Sequence, residues 1–226
     1  MEMMPHHVQV DEQFEPRPEG RVSLPTFGTA STGDWCDGLP TLVTPRCTLR
    51  ELTLEDAGSL CANLTTEEVA RFISPPPTSV EGFESFIRWA HAQRAKGRYV
   101  CFGIVPNGQT AAVGMFQVCI PEPEAMSVEW GFVLGSSYWG TGIFVAGARR
   151  VIDFVFVQLG VTRLEARAVP QNGRGNGALR KVGAVRETVL RGSFVRFGEK
   201  LDQALWVITR QDWWAALRDK WRETVH

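Results

Sequence analysis

Residues 137–150 read SYWGTGIFVAGARR, with two glycines one residue apart at the head of a stretch that is apolar for two turns. Glycine is among the poorest helix formers, so Gly140 and Gly142 serve something other than helix stability. The residues before them, AMSVEWGFVL, alternate as a strand does. Met126, Val128, Trp130, Phe132 and Leu134 share one face, and Ser127, Glu129, Gly131 and Val133 the other. The apolar set is expected to face the core, which turns Glu129 away from it. A strand that hands over to a helix through bare glycines lets main-chain amides converge on an anion at the positive helix end. A tight strand–helix turn with no ligand has the same pattern. Two phosphate motifs are excluded: a dinucleotide fingerprint needs a third glycine where Val145 stands, and a Walker loop needs Gly-Lys-Ser/Thr.

Outward from this junction the chain reads as mixed α and β. Residues 1–40, rich in Pro, Gly, Ser, Thr and acid without a sustained period, are expected to form a poorly ordered or loosely docked extension, its end pinned by Trp35 and Leu39. The domain proper is expected over 41–226. CTLREL reads as a strand and TLEDAGSLCANL as a helix, with Thr53 as N-cap and Asp56 in a capping-box role. SPPPTSV must be a loop, because each proline lacks an N–H and disfavours helix before it. From about Val80 to Lys96 an amphipathic helix places Phe83, Phe86, Ile87 and Ala90 on one face. RYVCFGIV and TAAVGMFQVCI form a hairpin, whose Asn107-Gly108 tip is expected to supply positive φ angles.

Beyond the glycines a helix should run to about Leu159 and stop at Gly160. TRLEARAV is a strand, and QNGRGNGALRKVG a loop entering a short helix closed by Gly183. AVRETVLRGSFVRF and DQALWVIT form a strand pair, and RQDWWAALRDKW a terminal helix. Trp213, Trp214 and Trp221 there cover apolar surface or a homodimer contact.

The 226 residues suffice for a substantial core, and a net charge of −1 gives no global reason to bind nucleic acid or an anionic membrane. Five cysteines, odd in number and without C-x-x-C spacing, argue against a disulfide framework or a zinc knuckle and for a reduced cytoplasmic compartment. No targeting segment or membrane span of ~18 apolar residues is read. Of four histidines only His91 lies in the body of the chain, which weighs against histidine triads and metal sites.

Taken in order, VEWGFVLGSSYWGTGIFVAGA, a strand, and NGRGNGALRKVGA resemble the GNAT superfamily of acyl-CoA N-acyltransferases, and more narrowly its RimJ/RimL-type branch. The resemblance runs from about Thr44 to about Thr209. It implies an α+β fold with a mixed, mostly antiparallel sheet split at its centre by a slot for acetyl-CoA, and transfer of its acetyl group to a primary amine on a small molecule or a protein N-terminus. Family sequences carry Q/R-x-x-G-x-G/A before the helix; here Ser137 departs from it while Gly140 and Gly142 match. The implied diphosphate contacts come from the backbone of Trp139, Gly140, Thr141, Gly142, Ile143 and Phe144. The backbone of Phe132, Val133 and Leu134 would pair with the pantetheine arm, with Gly131 marking a bulge that helps splay the strand.

Asn172 corresponds to a residue that steadies the cofactor arm or the strand–helix junction; its local reading is a helix cap. Asn176 lies nearby and is assigned with it to the cofactor site. Arg174, Arg180 and Lys181 are read as a solvated face or as contacts for the 3′-phosphate. Family members often place a serine at the position of Gly175, or a tyrosine near the helix end, as proton donor to the departing thiolate; both are missing. Glu129 is the candidate general base, or else a solvated or salt-bridged carboxylate. The missing acid leaves a catalytically degenerate acyl-CoA-binding regulatory module as the alternative. No metal is implied.

Overall fold

The computed structural model describes residues 34–224 apart from 123 and 197. Most of the expected extension, with His6 and His7, lies outside these residues, as does the side chain of Trp221. The described chain opens with a short helix α1 (Asp34–Asp37), strands β1 (Leu42–Val43) and β2 (Cys47–Glu51), a 3-10 turn (Leu54–Asp56) and helices α2 (Ala57–Leu64), α3 (Glu67–Ala70) and α4 (Val80–Ala95). Strands β3 (Tyr99–Pro106), β4 (Gly114–Cys119) and β5 (Ser127–Leu134) lead into helix α5 (Ile143–Val157). Strand β6 (Arg163–Ala168), helix α6 (Gly173–Lys181), strands β7 (Val185–Arg196) and β8 (Glu199–Thr209) and helix α7 (Arg210–Thr224) follow.

The strands form one eight-stranded sheet in the order β1-β2-β3-β4-β5-β6-β8-β7. Every neighbouring pair is antiparallel except β5 and β6. The mixed, mostly antiparallel sheet expected from the sequence is what forms. Two cores cover it. The larger joins α5, Leu179 of α6 and Trp213 of α7 to strand residues such as Leu49, Phe116, Trp130 and Leu164; Trp35 is buried in it and Leu39 packs against it. The second, under α2 and α4, contains the Phe83, Phe86, Ile87 and Ala90 stripe, and draws Tyr99, Met115 and Val133 from the sheet.

Helix α5 is apolar because it lies across the sheet, with Ala148, Val151 and Val155 inaccessible to solvent. Its Gly147 permits close approach: a Cβ there would stand 2.8 Å from the Phe116 ring. His91 is a structural histidine, its Nε2 meeting the Leu52 carbonyl at 2.8 Å.

Three local expectations change. Met126 is 59% exposed, because the chain there bonds the β6 approach through its carbonyl, at the end of the sheet. At the hairpin tip only Gly108 has positive φ, at +82°. Asn107 is instead drawn to the start of β2, its Nδ2 donating to the Pro45 carbonyl at 2.9 Å and its N–H to that of Arg46 at 3.1 Å, so the connection opens into a wider loop. Gly131 carries no bulge, since the β4–β5 register is unbroken from Cys119↔Glu129 to Gly114↔Leu134.

Asp56 does more than cap a turn. Its side chain, 1% exposed, accepts both Arg50 terminal nitrogens at 2.7 and 2.8 Å, the Thr53 amide at 2.8 Å and the Ala112 amide at 2.8 Å. One carboxylate thus ties β2, the turn before α2 and the β3–β4 loop. Burial pushes this carboxyl up, but hydrogen bonds from Arg50, Thr53 and Ala112 outweigh burial and hold it below its ordinary value. A depressed folded-state pKa contributes stability that is complete above the unfolded value, near pH ~4, and is lost as pH falls through the folded one. Asp56→Asn is expected to destabilise the protein by about 2–4 kcal/mol in chemical denaturation at neutral pH, by leaving Arg50 without its ionic partner. It should also flatten the acid limb of the stability curve.

Candidate active site

The parallel pairing of β5 with β6 covers only Ser127↔Arg163, Val128↔Leu164 and Glu129↔Glu165. Past Glu129 the strands part. Strand β5 stays with β4 as far as Leu134↔Gly114, and β6 with β8 as far as Ala168↔Ala204. A cavity of about 220 Å³ fills the fork, lined by Trp130 to Val133 on one side and Ala166 to Ala168 on the other.

Side-chain contacts pin both prongs. The Trp139 indole donates to the Leu134 carbonyl at 2.9 Å, and the Asn176 amide donates to the carbonyls of Val169 at 2.9 Å and Asn172 at 2.7 Å. Asn176 Oδ1 in turn accepts the Trp206 indole at 2.8 Å. Asn176 is therefore engaged on both sides of its amide as a brace of the β6–α6 junction, a geometry different from the cofactor contact assigned to it on sequence. Asn172 is the N-cap of α6, its Oδ1 accepting the Gly175 amide at 2.8 Å, and it also lines the cavity.

The glycine turn follows the end of β5, beside the fork. Gly140 and Gly142 have φ of +77° and +82°, values that L side chains rarely adopt. Gly142 is the N-cap of α5 and offers no side chain as a cap. The Ala146 amide bonds back to the Gly142 carbonyl at 3.1 Å, which leaves the amides of the first turn to outside acceptors; Ile143 makes only a 3.4 Å contact to the Thr141 hydroxyl. Phe144, in that turn, packs on Phe132 with ring centroids 4.6 Å apart, which fixes the helix start against the free part of β5. Arg46 arrives from the β2 side, its Nη1 donating to the Thr141 carbonyl at 3.0 Å. Arg174 lies over the Trp139 ring at 4.3 Å, so a cation of α6 touches the glycine turn across the cleft.

The inner end of the cavity holds the charges. Glu129 lies 3.6 Å from Arg167, with side-chain exposures of 26% and 18%. Cys119, the cross-strand partner of Glu129, is pushed up by burial and then by that carboxylate, so its thiol is a poor nucleophile. Burial also pushes the Tyr99 phenol well above its ordinary range. Phe72, Pro77, Phe194 and Gln203 complete the walls. The β7 strand reaches over this side, Arg196 Nη2 donating to the Ala70 carbonyl at 2.9 Å.

Residues 46–185 match the family profile of the acetyltransferase (GNAT) domain. The chain belongs to this GNAT family. It is similar to the uncharacterized N-acetyltransferase p20 of Bacillus licheniformis, with 26% identity over 176 residues that make up 77% of this chain and 99% of that protein. To the uncharacterized N-acetyltransferase YoaA of Bacillus subtilis it is 26% identical over 172 residues, 76% of this chain and 97% of the relative. Among solved structures, RimJ of Mycobacterium smegmatis in complex with CoA-disulfide superposes with a TM-score of 0.70 at 22% identity, covering 76% of this chain and 88% of that one. The ribosomal-protein-S5-alanine acetyltransferase of Vibrio fischeri gives 0.69 at 19% identity, covering 77% and 98%. At these identities the two structures speak for a shared fold, that of RimJ-like proteins.

Within this GNAT domain, the structure brings Glu129, Phe132, Val133 and Asn172 to one cavity; Leu134 and Trp139 to Phe144 are not among its lining and connect to it through the Phe144 ring on Phe132 and the Trp139 indole on Leu134. Arg46, Arg167 and Arg196 escaped the sequence reading. Arg167 alone left a local trace: the alternation of TRLEARAV puts it on the face opposite Leu164, Ala166 and Ala168. Arg46 meets the glycine turn from 95 residues away, a distance no local pattern spans.

The two glycines differ in surroundings. A Cβ at Gly140 would meet open space, whereas one at Gly142 would stand 3.1 Å from Arg46 Nε. Gly140→Ala is expected to lower stability by about 1 kcal/mol, from backbone strain alone. Gly142→Ala should lower it further, because Arg46 must also shift off Thr141. Denaturant midpoints of the two variants measure the difference.

Proposed function

We propose that the protein is an N-acetyltransferase that moves the acetyl group of acetyl-CoA to a primary amine, by direct attack of the amine in a ternary complex. The observation that carries this reading is the bare-amide turn packed beside the fork, with Phe144 of its helix on Phe132 of β5. A cavity between diverging parallel strands lies beside a helix N-terminus that lacks a side-chain cap and packs on the cavity residue Phe132 through Phe144, which suits a slender acyl arm ending in a diphosphate. Solved relatives of similar fold are described with CoA-disulfide and, for the microcin C7 self-immunity protein MccE, with acetyl-CoA and AMP. Both descriptions support the reading.

In this proposal the main chain of Trp139, Gly140, Thr141, Gly142, Ile143 and Phe144 holds the diphosphate, and the free edge of Phe132, Val133 and Leu134 lies along the pantetheine arm as an added strand would. A main-chain N–H of the same edge donates to the oxyanion that forms on the thioester carbonyl. Glu129 accepts the amine proton, directly or through water. The amine enters between the loop holding Phe72 and Pro77 and the wall formed by Phe194 and Gln203. It belongs to a small molecule or a protein N-terminus, and peptides with a free N-terminus are the first acceptors to test. None of the five cysteines is in a disulfide, which fits a cytoplasmic enzyme. Among the described residues no helix is long and apolar enough to cross a membrane.

Gly175 favours the second reading, a degenerate acyl-CoA-binding module. A Cβ at this position would stand 2.6 Å from Asn172 Nδ2, so the helix cap occupies the space a serine would need. The two readings part on thiol release. Calorimetry is expected to detect coenzyme A but neither ATP nor NAD, and the Gly140→Val/Gly142→Val double variant should abolish the signal. With acetyl-CoA and a panel of peptides and small amines, the enzyme reading predicts amine-dependent release of free thiol; binding without release across the panel favours the module. Glu129→Gln should lower kcat by about 10²–10⁴-fold and shift its pH profile while coenzyme A affinity stays the same. Unchanged turnover would remove Glu129 from the mechanism.

A further inference from the structure

The fork contains a cation that neither the cofactor contacts nor the proposed base accounts for. Arg167 is largely buried, its contact with Glu129 at 3.6 Å is longer than a hydrogen bond, and its Nε is buried with no hydrogen-bond partner among the described residues. An incompletely bonded guanidinium inside a protein is costly and calls for a reason, of which a ligand that completes it is one. The register says where that ligand lies. Glu129 is paired with Glu165, so two residues on, where the strands have parted, Arg167 stands across the fork from Gly131. Gly131 leaves that space open: the nearest atom to a Cβ built on it is Gln117 Oε1, at 3.9 Å.

We propose that Arg167 is a catalytic residue that stabilises the coenzyme A thiolate as it departs, in place of the acid absent at Gly175. The proposal rests on the acetyl-CoA reading of the fork. As the amine nitrogen forms the C–N bond, the C–S bond breaks and sulfur leaves with the bonding pair. The amine proton passes to Glu129 or water. Arg167 keeps its own proton, because a guanidinium does not act as an acid in proteins, and offers charge and N–H donors to the sulfur.

The other groups facing the fork cannot take this part. The titratable or charged side chains that line the cavity are Tyr99 of β3, Cys119 of β4, Glu129 of β5 and Arg167 of β6. Tyr99 and Cys119 are both raised by burial, so each is a weak proton donor to a thiolate and each is uncharged at neutral pH. Neither Glu165, held by Arg163 at 2.6 Å, nor Arg196, whose Nη2 donates to the Ala70 carbonyl at 2.9 Å, is among the residues that line the cavity. Arg167 is the one cation that lines the cavity among the described residues.

A leaving group stabilised in this way has a measurable signature that needs no acceptor. Coenzyme A bound to the wild-type protein, its thiol titrated by the ultraviolet absorbance of the thiolate, should show a pKa at least about one unit below the ~8.5 of an ordinary thiol. R167Q should lose the shift and R167K keep much of it. E129Q, which removes the opposing charge, should lower the value further, and it serves as the deciding variant if R167Q does not fold. A bound thiol with an unshifted pKa, a shift that survives in R167Q, or an E129Q value no lower than wild type would overturn the role of Arg167 and leave the cofactor reading standing. Calorimetric silence toward coenzyme A would bring down both.

Discussion

The architecture depends on three residue pairs of parallel backbone between β5 and β6, and on their stopping where they do. Each strand has an antiparallel partner on its outer side, β4 for one and β8 for the other, and those ladders continue after the inner one ends. The two half-sheets are therefore held apart by hydrogen bonds that would have to break before the fork could close. The Trp139 indole on Leu134 and the Asn176 amide on Val169 fasten the prongs at their tips. A cavity kept open by paired backbone on both flanks is preorganised, so a ligand entering it meets main-chain donors without first ordering them.

The glycine turn and the fork act as one object because of aromatic packing. Phe132, on the free part of β5, touches Phe144 in the first turn of α5, and both rings lie against Phe116 of β4. Sliding the helix start relative to the strand would disrupt this cluster, which also includes Trp130. The position of the first turn of α5 relative to the cavity is thereby set by aromatic packing, with Phe132 and Trp130 also lining the cavity. Gly147 contributes to the same end by letting α5 settle directly on the Phe116 ring.

Much of the fold was legible because its signals are local. The α4 stripe of Phe83, Phe86, Ile87 and Ala90, the alternation through Val128, Trp130 and Leu134, and the glycine stops at Gly160 and Gly183 depend on period and backbone conformation, which a single stretch of sequence carries. What escaped depends on contacts between distant segments. Asn107 is drawn to Pro45 and Arg46, Met126 lies at a sheet end that no residue pattern announces, and Asn176 turned out to be a brace because Trp206 arrives thirty positions later. The site shows the same division. Gly140, Gly142 and the outward set of β5 could be named from their own neighbourhoods, whereas Arg46 and Arg167 acquire meaning only when a second strand is laid beside the first.

The wall that carries Phe194 belongs to β7, an edge strand whose ladder with β8 slips between Arg186 and Thr188 and again between Leu190 and Phe194. Irregularities of this kind at a sheet edge bend the strand and re-aim its side chains. Under the proposed function, the wall that meets the amine belongs in part to this edge strand, while the acyl carrier lies against the central strands β5 and β6. On that reading, a change of acceptor would leave untouched the ladders that hold each of the two half-sheets together.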